Sequence, residues 1–106
     1  MSEIIVIAKS KAKKGFEDQL ETAVKAAIPP THAEPGCIKY ALHRSIEDPS
    51  QFVLIEKWTS KEALNEHLKT PHIQILFKKL AEIVAESPVI QIFEGMAVGN
   101  REKGEI

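Results

Sequence analysis

The stretch CIKYALHRSIEDPSQFVLIEKW, residues 37–58, decides how this chain folds. Its two ends, CIKYALHRS (37–45) and QFVLIEKW (51–58), are rich in β-branched and aromatic residues and read as strands. The Asp48-Pro49-Ser50 segment between them has the composition of a hairpin connection. One row of the hairpin is Ile38, Tyr40 and Leu42 with Phe52, Leu54, Glu56 and Trp58. The other is Cys37, Lys39, Ala41 and His43 with Val53, Ile55 and Lys57. The first row carries an acid, an indole and a phenol among aliphatic side chains.

Upstream, EIIVIAKS (3–10) reads as a strand. From Phe16 the apolar positions Phe16, Leu20, Ala23, Val24, Ala27 and Ile28 share one helical face, and Glu17 and Asp18 suit the positive end of the helix dipole. Pro29-Pro30 is expected to end this helix, and THAEPG (31–36) to turn into the hairpin. Downstream, Thr59-Ser60 reads as an N-cap region, and Thr59 and Glu62 have capping-box spacing ahead of a short helix over 61–69. Pro71 suits the first turn of another helix running to about Glu86, with Ile73, Leu76, Phe77, Leu80, Ile83 and Val84 on its apolar face. Pro88 stops it, VIQIFEGMAV (89–98) reads as a last strand, and GNREKGEI (99–106) is a polar tail, either frayed or docked on a partner.

The order is β-α-β-β-α-β with the second helical region broken in two. This is the ferredoxin-like α+β pattern with an antiparallel sheet, in one domain over residues 1–106. Helices in this topology cover one face of the sheet. In the first and last strands both rows are apolar: Ile5 and Ile7 against Ile4, Val6 and Ala8, then Ile90 and Ile92 against Val89 and Phe93. A sheet with one wet face would alternate more cleanly. The second face is therefore expected to be covered by another copy, giving a homodimer.

Composition narrows the function classes. Fourteen basic residues are scattered among 15 acidic ones, for a net charge of −1, so no basic stripe serves nucleic acid. The one cysteine, Cys37, cannot form an internal disulfide. The first residues lack the charge and apolar pattern of a secretion signal, and no apolar run approaches the roughly 20 residues of a membrane span. A cytoplasmic location follows by default. HExxH, GxGxxG, Walker and GxSxG patterns are absent, and the 67/72 histidine spacing crosses Pro71, so it is not a helical i, i+4 ligand pair. Neither a metal nor a nucleotide cofactor is indicated.

The chemistry-bearing residues each have two readings. Glu56 is either a hydrogen-bonded strand acid or a cavity carboxyl with a raised pKa. Trp58 is either core or a pocket wall. His67 and His72 are either boundary histidines or proton acceptors. Tyr40 is either a core phenol or a hydroxyl held over a cavity. His43, in the hairpin, and His32, in the turn, are weaker candidates. Arg44 has the charge to pair with Asp48 or with an acidic ligand. Cys37 is most simply a strand residue.

The segments EPGCIKYALHRS and FVLIEKWTSKEALNEHLKTPH closely resemble the antibiotic biosynthesis monooxygenase family, in its quinol-monooxygenase-like branch. Glu34-Pro35-Gly36, Tyr40, Glu56-x-Trp58 and His67 before Thr70-Pro71-His72 carry the resemblance, which extends over residues 3 to about 98. It implies a ferredoxin-like domain that dimerises through its sheet into a dimeric α/β barrel. It implies oxygenation of a small aromatic substrate by dioxygen with no flavin, haem or metal, since the deprotonated substrate supplies the electrons. On this resemblance His67 or His72 takes the proton, Glu56 orients a histidine or a substrate hydroxyl, Tyr40 completes the catalytic set, and Trp58, His43 and Arg44 contact substrate. A haem-degrading branch resembles the chain in outline but carries Trp in place of His67 and His in place of Phe77, so its haem ligand is missing here. A branch that isomerises a phosphorylated autoinducer-2 signal is an alternative, with Arg44 or Lys39 on the phosphate. A non-catalytic dimeric binding or stress protein is another.

Overall fold

Residues 37–58 form the antiparallel hairpin that their pattern predicts. A computed structural model describes residues 2–106. In it β2 (Cys37–Arg44) pairs with β3 (Gln51–Trp58), placing Tyr40 opposite Glu56 and Leu42 opposite Leu54. Asp48 organises the connection. Its Oδ1 accepts from the Ser50 N–H and hydroxyl, and its carbonyl accepts from the Gln51 N–H. Strand β1 (Ile4–Lys11) lies antiparallel on the other side of β3, and β4 (Val89–Phe93) pairs with β1 at the far edge, so the order is β2-β3-β1-β4. Helices α1 (Glu17–His32), α2 (Lys61–Leu68) and α3 (Pro71–Ile83) cover one face, and a short α4 (Arg101–Gly104) lies in the tail. This is the ferredoxin-like α+β fold. Among the described residues no helix is long and apolar enough to cross a membrane.

The core is the layer between sheet and helices. Alternation along β3 buries Phe52, Leu54, Glu56 and Trp58, and the α1 face buries Leu20, Ala23, Val24 and Ala27. Ile73, Leu76, Leu80 and Ile83 close it from α3. Withdrawing a side chain of this size from water contributes on the order of 2–3 kcal/mol, which makes the Phe52 row a principal source of stability. The opposite sheet face carries an apolar patch beside Lys39 and Lys57. Ile7 pairs with Ile55 and Ile5 with Phe93, and the β4 side chains Val89 and Phe93 keep 47% and 43% of their surface exposed.

Several local details depart from the sequence reading. Pro29 and Pro30 do not end α1, which continues to His32. The two missing N–H groups fall in the last turn and on the exposed side of the helix, where the freed carbonyls of Lys25 and Ala26 cost least. Thr31, on the buried side, donates its hydroxyl to the Ala27 carbonyl at 2.7 Å. The cap of α2 is Ser60, whose Oγ accepts from Ala63 N–H, and not Thr59. Thr59 N–H is still tied to the Gly36 carbonyl, which delays the helix by one residue. Helix α3 stops at Ile83 because Val84 turns extended and bridges Ala12, with Ala85 N–H on the Lys11 carbonyl. The last strand is five residues long and ends at Phe93. A bulge between Cys37 and Lys39 takes Ile38 out of the Tyr40 row.

Gly36 fixes how the turn after α1 meets α2. A Cβ there would collide with Ala63 Cβ and crowd Thr59 Oγ1. Gly36→Ala is therefore expected to destabilise the chain by about 1–3 kcal/mol through overpacking. Urea denaturation reads this, and Ala63→Gly in the same chain should recover part of the loss. An unchanged midpoint for Gly36→Ala would mean that this contact relaxes freely.

Candidate functional site

The site lies where the turn after α1, the β2–β3 hairpin and the α2–α3 junction meet. Tyr40 and Glu56 enter it from facing strand positions, and His67 enters from the last turn of α2. His67 is buried because it follows Leu64 by three positions on the inward face of that helix. Thr70 then stops the helix, its hydroxyl and N–H both bonded to the His67 carbonyl. Pro71 opens α3, so His72 comes back toward His67.

Glu34 joins the two histidines. Its Oε2 lies 2.8 Å from His67 Nδ1 and 2.8 Å from His72 Nε2. An ionised carboxylate only accepts, so both nitrogens carry the proton that they donate. That assigns His67 the tautomer with hydrogen on Nδ1 and a lone pair on Nε2. Among the described residues Nε2 has no protein partner, while its imidazole lines the adjoining cavity. Burial holds the His67 pKa below the usual histidine value, and the Glu34 hydrogen bond only partly opposes this. The ring is therefore neutral at neutral pH and able to take a proton.

The cavity runs between the sheet and helices α2 and α3. Tyr40, Glu56 and His67 supply its polar lining at one end, among Leu42, Leu54, Leu64 and Ile73. Its open volume is about 50 Å³. Small-molecule sites usually offer several hundred, so a ring-sized ligand requires rim side chains such as Phe77 to swing outward. Tyr40 meets His67 edge-on at 5.3 Å between ring centroids. Burial raises its pKa, and the charges of Glu56 and Glu34 add to the rise, so it stays a phenol.

Trp58 does not line the cavity. It is fully buried behind it, 4.5 Å from the His67 ring centroid, and its Nε1 donates to Glu56 Oε1 at 2.9 Å. His72 also stands behind the cavity wall, on the far side of Glu34. His43 and Arg44 lie away from the cluster. His43 is exposed and bonded through Nδ1 to the Ala41 carbonyl of its own strand. Arg44 donates to the Pro49 carbonyl, pairs with Glu21 and covers the Phe52 ring. Lys39 is exposed on the opposite sheet face. His32 bonds the Tyr40 carbonyl through Nε2 and so ties the end of α1 to β2. The Cys37 thiol has its pKa raised, first by burial and then by Glu34 and Glu56, which disfavours the thiolate. Glu34 is the residue that reading by position misses. Its sequence signals are its place in the Glu34-Pro35-Gly36 segment that carries the family resemblance and in the turn just ahead of the strand that bears Tyr40.

Glu56 generates a prediction about pH. Burial pushes its carboxyl from 4.5 up to about 7, against the Trp58 hydrogen bond, with the Glu34 charge adding to the rise. Between pH 4.5 and about 7 the folded chain holds a proton that the unfolded chain has released. The contribution of this group is greatest below that window and declines as pH rises through it, by on the order of 3 kcal/mol. Glu56→Gln should flatten this slope. Urea midpoints across the window, wild type beside variant, check it, and parallel slopes would mean that Glu56 titrates as an ordinary carboxyl.

Comparison with known proteins agrees with the fold. Residues 3–79 match the antibiotic biosynthesis monooxygenase family. A Mycobacterium tuberculosis protein named "Putative monooxygenase Rv0793" is 31% identical over 91 residues, covering 86% of this chain and 89% of that protein. Its solved structure superposes with a TM-score of 0.87 at 27% identity, over 93% of this chain and all of that one. The Shewanella oneidensis protein SO0527 superposes with a TM-score of 0.83 at 31% identity, covering 87% of this chain and 89% of that one. The Synechocystis protein sll1783 is 26% identical over 91 residues, 86% of this chain, which spans 62% of its length. With its fold and three-quarters of its length in agreement, the chain belongs to the antibiotic biosynthesis monooxygenase family.

Proposed function

We propose that this protein is a monooxygenase that needs no resident cofactor and acts on a small quinol or related phenolic compound. One arrangement carries the reading: His67, held through Nδ1 by Glu34, lines an apolar cavity with Tyr40 and Glu56, which leaves Nε2 as the ring nitrogen free to take a proton. Such a base suits a substrate with an acidic phenol or an activated C–H bond. Proton transfer to Nε2 leaves an electron-rich anion. The anion combines with dioxygen to form a peroxide anion on the substrate, which takes the proton back from His67, and loss of water from the hydroperoxide leaves a carbonyl. The substrate supplies the electrons throughout. The imidazolium formed at His67 is stabilised by the Glu34 carboxylate, in surroundings of low polarity where that attraction is strong.

Tyr40 and the protonated form of Glu56 line the cavity and are the uncharged hydrogen-bond donors beside His67 for a substrate oxygen. A phosphorylated substrate is less well served. Arg44 and Lys39 are directed elsewhere, and the cation along the cavity is the exposed Lys9. A binding protein without turnover would use the same apolar lining but has no need of an oriented base.

Oxygen uptake against a panel of quinols and anthrones, with autoxidation subtracted, tests the reading. His67→Ala should lower kcat by about 10²–10⁴. Glu34→Gln should lower kcat less, leave KM in place and move the acidic limb of the pH profile, as expected of a positioning residue. Uptake equal to autoxidation across the panel would move the weight to the binding protein.

The apolar sheet face supports a homodimer packed sheet to sheet. Light scattering after gel filtration should give twice the chain mass. Phe93→Lys, which puts a charge on the apolar β4 edge of that face, should shift the protein toward monomer, and a monomeric wild type would remove the proposal.

A further inference from the structure

The Glu34–His67–His72 cluster has a second chemical capacity. The three ligand atoms, a carboxylate oxygen and two imidazole nitrogens, all lie within 4.8 Å of one another. That donor set suits borderline divalent cations such as Zn²⁺, with bonds of about 2.0–2.2 Å. Tetrahedral bonds of that length separate donor atoms by about 3.3 Å, so each Glu34–His spacing must open by about half an ångström while the His67–His72 spacing, now up to 4.8 Å, closes toward the same value.

The frame around these atoms is already built. The Thr70 hydroxyl donates to the His67 carbonyl at 2.7 Å and lies 3.2 Å from His72 Nε2, which holds the end of α2 against the start of α3. The cluster is also reachable. The Glu34 and His72 side chains keep 13% and 20% exposure, whereas His67 keeps 3%. An ion would enter past His72, and the Glu34 charge would attract it.

We propose that Glu34, His67 and His72 bind one divalent cation of the zinc class, and that the bound ion takes His67 out of service as a base. The second half rests on the role given to His67 above. A neutral imidazole carries one proton. An ion on Nδ1 sends that proton to Nε2, which then presents an N–H to the cavity in place of a lone pair. His72, ligated through Nε2, is left with Nδ1 as its N–H donor. His67 lines the cavity but Glu34 and His72 do not, so the ion sits behind the imidazole, out of reach of a ligand in the cavity. It acts as an off-switch and not as a catalytic metal.

The test is a zinc titration of the whole chelator-stripped chain, isotope-labelled on histidine nitrogen, followed by calorimetry and by NMR of the imidazole rings. The expected result is one Zn²⁺ per chain. The His67 and His72 nitrogens should move, with His67 Nε2 becoming protonated, while His32 and His43 stay in place. His72→Ala and Glu34→Gln should each weaken binding at least about tenfold, and His43→Ala should not. No ring shift in excess zinc, or shifts at His32 or His43 alone, overturns the site. The wild-type spectra decide this even if a variant fails to fold. Oxygen uptake with and without zinc then separates the two readings. Zinc binding in a protein that shows no uptake sinks the base and leaves the metal site. Uptake that zinc leaves unchanged, in a protein whose cluster is shown to be loaded, removes the off-switch.

Discussion

One carboxylate oxygen serving two imidazoles is the contact on which the site depends. Glu34 Oε2 satisfies the N–H of a histidine that is almost wholly buried, and it does so together with a second histidine from the next helix. Left without that partner, the His67 N–H would cost about 1–3 kcal/mol of desolvation, and nothing would choose between its tautomers. Three features of the backbone make the contact possible. Gly36 lets the turn approach α2, Thr70 ends that helix just after His67, and Pro71 starts the next one so that His72 returns.

The electrostatics behind this contact have a common direction. Burial favours the neutral form of every titratable group on the cavity wall near it. It raises Glu56 and Tyr40 and lowers His67. The wall therefore suits a neutral, largely apolar ligand. Charge created there by proton transfer would face the imidazolium at close range and the Glu34 carboxylate behind it. Low polarity makes that arrangement strong and also makes any unpaired charge costly. Glu34 and the outer histidine keep 13% and 20% of their side-chain surface exposed, at the solvent edge of the cluster.

Much of the fold was legible because its signals are local. Period-two alternation marks β3, the spacing from Phe16 to Ala27 marks the buried face of α1, and Asp48-Pro49-Ser50 marks the hairpin turn. The departures occur where a tertiary partner outweighs a local rule. Pro29 and Pro30 sit inside α1 because their lost bonds fall on its exposed side while Thr31 anchors the buried one. Thr59 yields the cap to Ser60 because its own N–H is engaged by Gly36.

The sequence by itself determined the element order, the inner row of the hairpin and the residue types at the cavity. Those follow from periodicity and turn chemistry, which act between near neighbours. Only the tertiary structure decided that Glu34 faces both histidines from more than 30 positions away, that Trp58 supports the cavity from behind, and that His43 and Arg44 point elsewhere. Hydrogen bonds between distant side chains leave no spacing in the chain. They exist because packing of the α2–α3 junction against the turn at Gly36 brings the groups within reach.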